Sequence, residues 1–144
     1  MRNIKTGCVV LALFLFAGIA NISAQQQSAK TPEQVAQSLV DAYNARNMDG
    51  IIAAYAADST AYSLPDGKVM LKGHDAIRKK FAAAIGPKMD LKVEVVSRIV
   101  DGKFVIDKEK ISGTANGKPI EFFGTVIYEI TDGLIRNEWY PENK

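Results

Sequence analysis

The chain has 144 residues, enough for one domain with its own hydrophobic core and too few for two domains of typical size. Its 18 basic and 16 acidic residues nearly balance, and no cluster of Lys or Arg interleaved with aromatic residues appears, so we expect no nucleic-acid partner. A single cysteine, Cys8, and a single histidine, His74, argue against disulfides, thiolate catalysis and a metal site, and we expect neither a metal nor another cofactor.

The first 24 residues have the pattern of a secretory signal peptide. Arg2 and Lys5 precede an apolar run over residues 9–20, and Ala24 supplies a small residue before a polar stretch. The alternative, an anchor that stays attached, is disfavoured because the run is short for a bilayer span and Cys8 stands before it. We therefore expect an exported protein, periplasmic or secreted, that is cleaved near Ala24 and has no stable membrane anchor. Loss of Arg2 and Lys5 leaves 16 basic and 16 acidic residues, a formally neutral chain.

Residues 25–30 are polar and are interpreted as a tether, and residues 31–144 as a single domain. Thr31, Pro32 and Gln34 have the pattern of a helix start, with an N-cap, a proline at the first helical position and a capping-box glutamine. Apolar residues then recur at helical spacing on one face. They are Val35, Leu39, Ala42 and Tyr43.

Two further helices and a strand pair are predicted before residue 88. Asn47 can cap a short second helix, and residues 59–64 predict a strand that residues 65–67 turn back into another short strand. Gly73 opens a third helix, which residues 86–87 end. The buried face of this helix is expected to carry Ile77, Phe81, Ala84 and Ile85.

Three hairpin signals divide the rest of the chain: Asp101-Gly102, Asn116-Gly117 and Asp132-Gly133. These dipeptides supply the positive φ that a tight type I′ turn needs, and runs rich in Val, Ile, Phe, Tyr and Thr flank each of them. Four successive strands are therefore predicted to form an antiparallel meander. Helices first and a curved sheet afterwards predict an α+β domain with one concave face.

Three acidic residues are candidate catalytic bases: Asp107, Glu109 and Glu138. The run Asp107-Lys108-Glu109-Lys110 alternates in sign, which is typical of a solvated strand face. If its odd-numbered residues face inward instead, Asp107 or Glu109 lies in the concavity, where burial raises the pKa of a carboxyl and allows it to act as a base. Glu138, with Tyr140 nearby, is the third candidate because it lies near the last strand. The sequence leaves this register open.

The strand over residues 120–130 is apolar on both faces. Phe123, Thr125 and Ile127 alternate with Phe122, Val126 and Tyr128. One face therefore needs a cover from outside the domain, and a second copy of the chain is the usual cover. We expect a homodimer with the second of these two sets in its interface.

Four segments of the chain resemble parts of one known family. Residues 41–60 are similar to its helix-helix-strand opening, and residues 72–78 to its Gly-x-x-x-Ile helix start. Residues 116–122 and 128–135, followed by Trp139, are similar to its C-terminal hairpin. Together these segments resemble SnoaL-like domains of the nuclear-transport-factor-2-like superfamily. The resemblance covers essentially all of residues 31–144. It implies a cone-shaped, curved antiparallel sheet whose concave face carries three helices from the N-terminal half of the domain.

The resemblance also implies a ligand pocket inside the cone. The residues expected to line it are Leu39, Tyr43, Tyr55, Ser63, Phe81, Thr125 and Trp139. Ketosteroid isomerases of this superfamily use a carboxylate base, a tyrosine and a protonated carboxyl. The corresponding positions here are Ser63, Leu39 and either Thr125 or Val126, so none of those groups is retained.

These observations favour an exported protein whose apolar pocket binds a small hydrophobic molecule. A neutral ligand is expected in preference to an anion, because no Lys or Arg is among the expected pocket residues. Two alternatives stay open. One is an isomerase or cyclase-type enzyme that acts on a small hydrophobic carbonyl compound with Asp107, Glu109 or Glu138 as its base. The other is a structural dimerisation module whose cone is filled by its own side chains. An open cone and a carboxylate that points into it would distinguish the three.

Overall fold

The structure, a computed structural model, describes residues 30–142 as three helices and a six-stranded sheet. The helices are α1 (Pro32–Asn44), α2 (Met48–Ala53) and α3 (Gly73–Ala84), and the strands are β1 (Tyr55–Leu64), β2 (Val69–Lys72), β3 (Met89–Asp101), β4 (Phe104–Ala115), β5 (Lys118–Thr131) and β6 (Leu134–Pro141). The predicted signal peptide over residues 1–24, and all but the last residue of the predicted tether, lie outside the described residues. Within residues 30–142, no helix has the length and apolar character needed to cross a bilayer.

The first two helices begin at the predicted caps. Thr31 Oγ1 accepts a hydrogen bond from the Gln34 N–H at 3.2 Å, and Gln34 Oε1 accepts one from the Thr31 N–H at 2.9 Å, which completes the capping box. Asn47 Oδ1 accepts from the Gly50 N–H at 3.0 Å at the start of α2. Each cap satisfies a backbone N–H that has no partner within its own helix.

Strands β3 to β6 form the predicted antiparallel meander. Both residues of Asn116-Gly117 and of Asp132-Gly133 have positive φ, as type I′ turns require. The first turn differs by one residue from the prediction. Asp101 pairs with Phe104, so the loop is Gly102-Lys103, and only Gly102 in it has positive φ, which is the type II′ pattern.

The strand order is β2-β1-β6-β5-β4-β3. The predicted antiparallel sheet is corrected at one pair, because β1 runs parallel to β6 while all other neighbours are antiparallel. The chain leaves β2 through α3, reaches the far edge at β3, and returns through the meander until β6 lies beside β1. Helix α1 packs against β3 to β6, and α3 packs mainly against β1. The predicted α+β cone with three N-terminal helices on its concave face is confirmed.

The register of β4 against β5 settles which side chains face the helices. Val105, Asp107 and Glu109 on β4 lie opposite Tyr128, Val126 and Gly124 on β5. Val105 and Asp107 are fully buried and Lys108 is exposed. Lys108 and Lys110 therefore lie on the outer, solvated face of β4. Asp107 and Glu109 lie on its inner face, as the second of the two predicted registers requires.

The same register corrects the predicted dimer face. Val126 and Tyr128 are only 3% and 4% exposed, so the set to which they belong faces the helices. The outer face instead carries a row of apolar residues at paired positions on neighbouring strands. They are Ile99, Ile106, Ile127 and Trp139. Hydrophobicity did not distinguish the two faces, because β5 is apolar on both.

Candidate functional site

A cavity of about 380 Å³ lies between the concave face of the sheet and helices α1 and α3. Its helical wall is formed by Leu39, Val40, Tyr43, Lys80, Phe81 and Ala84. The sheet wall comes from β1 and from β3 to β6, and the lining is mainly apolar and aromatic. The cone is therefore open, and its volume lies within the usual range for small-molecule sites.

Five of the seven predicted pocket residues line this cavity: Leu39, Tyr43, Tyr55, Phe81 and Thr125. The helix residues face inward because helical spacing brings them onto the buried sides of α1 and α3. The two aromatic side chains on the helices, those of Tyr43 and Phe81, pack together with their ring centroids 6.1 Å apart. This contact joins α1 and α3 in the cavity wall.

Ser63 and Trp139 do not line the cavity, so the structure corrects their predicted places. Ser63 Oγ donates to the carboxylate of Asp66 at the turn between β1 and β2. Trp139 stacks on Tyr62, with ring centroids 5.9 Å apart, on the outer face of the sheet. Side chains alternate along a strand, so the neighbours of Trp139 on β6 face the cavity instead of Trp139 itself.

One of these neighbours, Glu138, lies at the centre of a buried hydrogen-bond network. It is 2% exposed, and its Oε1 accepts from the Tyr55 hydroxyl at 2.5 Å while its Oε2 accepts from the Tyr140 hydroxyl at 2.8 Å. Lys80 Nζ in turn donates to the Tyr140 oxygen at 2.6 Å. Burial, followed by the charge of Glu138, raises the pKa of Tyr55 and of Tyr140 well above the ordinary value. Both tyrosines therefore stay protonated and remain donors to Glu138.

Glu109 presents a less satisfied carboxyl to the same cavity. Among residues 30–142 its one side-chain hydrogen bond comes from the Tyr128 hydroxyl, 3.3 Å from Oε1, and no Lys or Arg forms an ion pair with it. Burial, followed by the negative charge of Asp107, raises the pKa of Glu109 to about 7. The absence of a side chain at Gly124, directly opposite on β5, leaves room beside this carboxyl. Glu109 can therefore both accept and donate a proton near neutral pH.

Asp107 is also fully buried, but it is held in an ion pair away from the cavity lining. Arg98 lies opposite it on β3 and binds both carboxylate oxygens, with Nε to Oδ1 at 2.7 Å and Nη2 to Oδ2 at 2.6 Å. Arg98 Nη1 also donates to Gln37 Oε1 on α1 at 3.0 Å. Of the three candidate bases, Glu109 and Glu138 thus line the cavity, and Asp107 acts on Glu109 as a fixed neighbouring charge.

Lys80 is the charged residue of the cavity lining that sequence reasoning missed. Lys80 ends the basic run Arg78-Lys79-Lys80, and such a run is typical of a solvated helix face. It lies at the edge of the buried face of α3, next to Phe81. The available signal was its spacing, three residues after buried Ile77, which places it beside the buried side of the helix. Its presence corrects the expectation that no Lys or Arg lines the cavity.

The cavity also contains polar groups with unused hydrogen-bonding capacity. No described residue forms a hydrogen bond with the Tyr43 hydroxyl, although Tyr43 lines the cavity. Lys80 donates one hydrogen bond and has further N–H groups, and Glu109 Oε2 has no partner within residues 30–142. A ligand with one polar group can therefore be bound here without displacing an existing hydrogen bond.

Metal-binding geometry does not occur in the part of the chain that the structure describes, where no three His, Cys, Asp or Glu residues come together in a suitable cluster. His74 does not line the cavity, and its Nε2 lies 3.0 Å from the backbone oxygen of Tyr55. This contact places His74 in a structural role at the start of α3.

Comparison with known proteins gives one family and many similar folds. The family model of the SnoaL-like domain matches residues 36–138, which agrees with the resemblance in the sequence. No curated protein matches the chain by sequence.

Three solved structures illustrate the structural similarity. A cystatin-fold protein from Novosphingobium aromaticivorans is 21% identical with a TM-score of 0.68, over 77% of this chain and 97% of that one. An LEH-like epoxide hydrolase from M. tuberculosis is 14% identical with a TM-score of 0.67, over 78% and 82% of the two chains. A computationally designed 17-OHP binder is 22% identical with a TM-score of 0.68, over 79% and 95%. At these identities the similarity establishes the fold alone.

Proposed function

The chain belongs to the SnoaL-like domain family, and we propose that it binds a small, mostly apolar carbonyl compound in the cavity and transfers a proton on it through Glu109. The observation that carries the proposal is the position of the Glu109 carboxyl. It lies on the wall of an apolar cavity with one long hydrogen bond and no paired cation among residues 30–142. A carboxyl in such surroundings exchanges its proton near neutral pH, as a catalytic acid or base must.

A carbonyl compound suits the other polar groups of the cavity. Lys80 and Tyr43 each have an N–H or O–H group that can donate to a carbonyl oxygen. Removal of a proton from the adjacent carbon places negative charge on that oxygen, and these donors stabilise it. Isomerisation and cyclisation of a carbonyl compound can both begin with this step. Two carboxyls against one ammonium in the lining also disfavour an anionic ligand.

Ligand binding without catalysis is the second candidate function. The mostly apolar lining favours it, as does the absence of the ketosteroid isomerase groups from Leu39 and from Thr125 or Val126. The designed 17-OHP binder and the LEH-like epoxide hydrolase support the use of this fold for binding and for catalysis respectively. An open cavity of about 380 Å³ argues against the third interpretation, a cone filled by its own side chains.

Exchange of the methyl protons of 2-acetylnaphthalene in deuterated water tests the proposed chemistry. We expect the protein to accelerate exchange, with a rate that rises through about pH 7 because the carboxylate of Glu109 is the reactive form. Glu109→Gln is expected to lower the protein-dependent rate by at least about 100-fold, since loss of a general base has an effect of this order. Nuclear magnetic resonance measures the rate directly.

A cavity-filling variant locates the reaction. Gly124→Leu adds a side chain beside Glu109 and is expected to abolish exchange by excluding the ketone, whereas Lys108→Leu adds the same side chain on the outer face and is expected to have no effect. Exchange that survives both Glu109→Gln and Gly124→Leu would refute the proposal. Binding of the ketone without exchange would leave ligand binding as the function.

Export and dimerisation are further parts of the proposal. The first 24 residues support export, and the apolar row on the outer face supports a homodimer. Ile99 in that row is 62% exposed in a single copy, so its burial by a second copy removes apolar surface from water.

Native mass spectrometry of the protein recovered from its source cells tests both parts. The expected species is a dimer of chains that begin near Gln25, and a chain that retains Cys8 would contradict cleavage.

Ile99→Lys is expected to give monomers, because each interface would then bury charges without partners. Ala82→Lys, on the exposed side of α3, is the matched control and should leave the dimer intact.

A further inference from the structure

One amine faces the cavity within the part of the chain that the structure describes, and it belongs to Lys80. Its Nζ lies 4.2 Å from the ring centroid of Tyr140 and 5.4 Å from that of Phe81. Burial lowers the pKa of this amine, although the charges of Glu138 and Glu109 act in the opposite direction. The surroundings therefore favour the neutral, nucleophilic form more than water does.

A hydrogen-bonded path joins this amine to a carboxylate. Lys80 Nζ donates to the Tyr140 oxygen at 2.6 Å, and the Tyr140 hydroxyl donates to Glu138 Oε2 at 2.8 Å. Transfer of one proton along each bond moves a proton from the ammonium to Glu138 and leaves Tyr140 neutral. Glu138 keeps its second hydrogen bond, from Tyr55. The network thus connects Lys80 to the carboxylate of Glu138 through a single hydroxyl group.

We propose that Lys80 acts not only as a donor to the carbonyl oxygen but also as the nucleophile that binds the carbonyl carbon of the ligand as an imine, a step that rests on the proposed function. In the alternative role, Lys80 is only a counter-ion to Glu138. The same contacts fit that role, but the amine then forms no bond to the ligand. The two roles differ in one observable, a covalent bond between Nζ and the ligand. The rings of Tyr140 and Phe81 hold the amine at the cavity, where a ligand carbonyl can reach it.

The reaction balances without an additional reagent. After Lys80 has passed a proton to Glu138, Nζ forms a bond to the carbonyl carbon, and the carbonyl oxygen takes a proton from the acid form of Glu109. The added nitrogen returns a proton to Glu109. The carbon–oxygen bond then breaks, the hydroxyl leaves as water with the proton held by Glu138, and the nitrogen electron pair forms the iminium. The net change converts an ammonium and a carbonyl into an iminium and water.

Reductive trapping tests this step on the full chain with 6-methoxy-2-naphthaldehyde and cyanoborohydride. The reductant converts an imine into a stable secondary amine, which adds the mass of the aldehyde less one oxygen. We expect one adduct per chain, located at Lys80 by peptide mapping. Lys79, the adjacent residue on the exposed side of α3, is the internal control and should remain largely unlabelled.

Two variants separate chemistry from binding. Lys80→Arg keeps a cationic donor but cannot form an imine, so it is expected to bind the fluorescent aldehyde and to lose the adduct. Glu138→Gln cannot accept the proton and is expected to slow labelling by at least about tenfold. Binding without an adduct, or adducts spread evenly over Lys79 and other surface lysines, would overturn the imine and leave the proposed function standing. If the aldehyde binds neither the wild type nor Lys80→Arg, both the imine and the proposed function are overturned.

Discussion

Glu109→Gln is expected to change the free energy of unfolding in a pH-dependent way. Its effect should be about 2–3 kcal/mol more stabilising at pH 8 than at pH 4. The pKa of Glu109 rises from its ordinary value of 4.5 to about 7 in the folded protein, because burial and the charge of Asp107 disfavour the carboxylate. The folded state therefore holds this proton more tightly than the unfolded chain does. The stabilisation that protonated Glu109 gives to the folded state is fully present below about pH 4.5 and is lost as the pH rises to about 7.

Denaturant unfolding of the wild type and the variant at a series of pH values from 4 to 8 measures this difference. Groups other than Glu109 titrate in both proteins, so their contributions cancel in the comparison. Glu94→Gln, the same substitution at an exposed position on β3, is the control and should change the free energy of unfolding by less than about 0.5 kcal/mol. Parallel stability curves for wild type and Glu109→Gln would show that this carboxyl is not perturbed. A gain in stability with a loss of proton exchange would identify Glu109 as a group kept for function at a cost in stability.

Arg98→Met is expected to destabilise the protein by about 3–5 kcal/mol at pH 7, because it leaves the charge of Asp107 buried and unpaired. The Asp107 side chain is fully buried and both of its oxygens accept from Arg98. Methionine retains most of the length of the arginine stem, so the loss reports mainly on charge.

A second substitution and a surface control separate this effect from general disruption. Asp107→Asn removes the unpaired charge, so the double variant with Arg98→Met is expected to recover part of the lost stability. Arg136→Met breaks exposed pairs with Asp58 and Asp132 and is expected to cost less than about 1 kcal/mol. Equal losses for Arg98→Met and Arg136→Met in denaturant unfolding would contradict the buried-pair argument.

Most of the fold was predictable because its signals act over a few residues. The caps at Thr31 and Asn47 each need one side chain and a backbone N–H three residues away. The turns at Asn116-Gly117 and Asp132-Gly133 need residues that accept positive φ. Such local preferences, together with the similarity of residues 41–60 to the SnoaL-like domain, were sufficient for the helices, the meander and the cone.

Which face of a strand is buried was decided only by the tertiary structure. Alternation separates two faces of β5 but does not orient them when both are apolar, so Val126 and Tyr128 were placed outside when they face α1 and α3. A change of one residue reverses every side chain of a strand. The same uncertainty affected β6, where Trp139 lies outside and Glu138 lies in the cavity.

The difference between Asp107 and Glu109 depended on neighbouring strands. In the sequence both are carboxylates followed by lysines in one alternating run, and nothing local separates them. Pairing of β4 with β3 brings Arg98 opposite Asp107, whereas pairing of β4 with β5 brings Gly124 opposite Glu109. One carboxylate therefore gains a cation that neutralises it, and the other gains empty space next to an apolar cavity. Sequence determined that two carboxyls could be buried here, and the strand register decided which of them can react, because the free energy of a buried charge depends on what lies across from it.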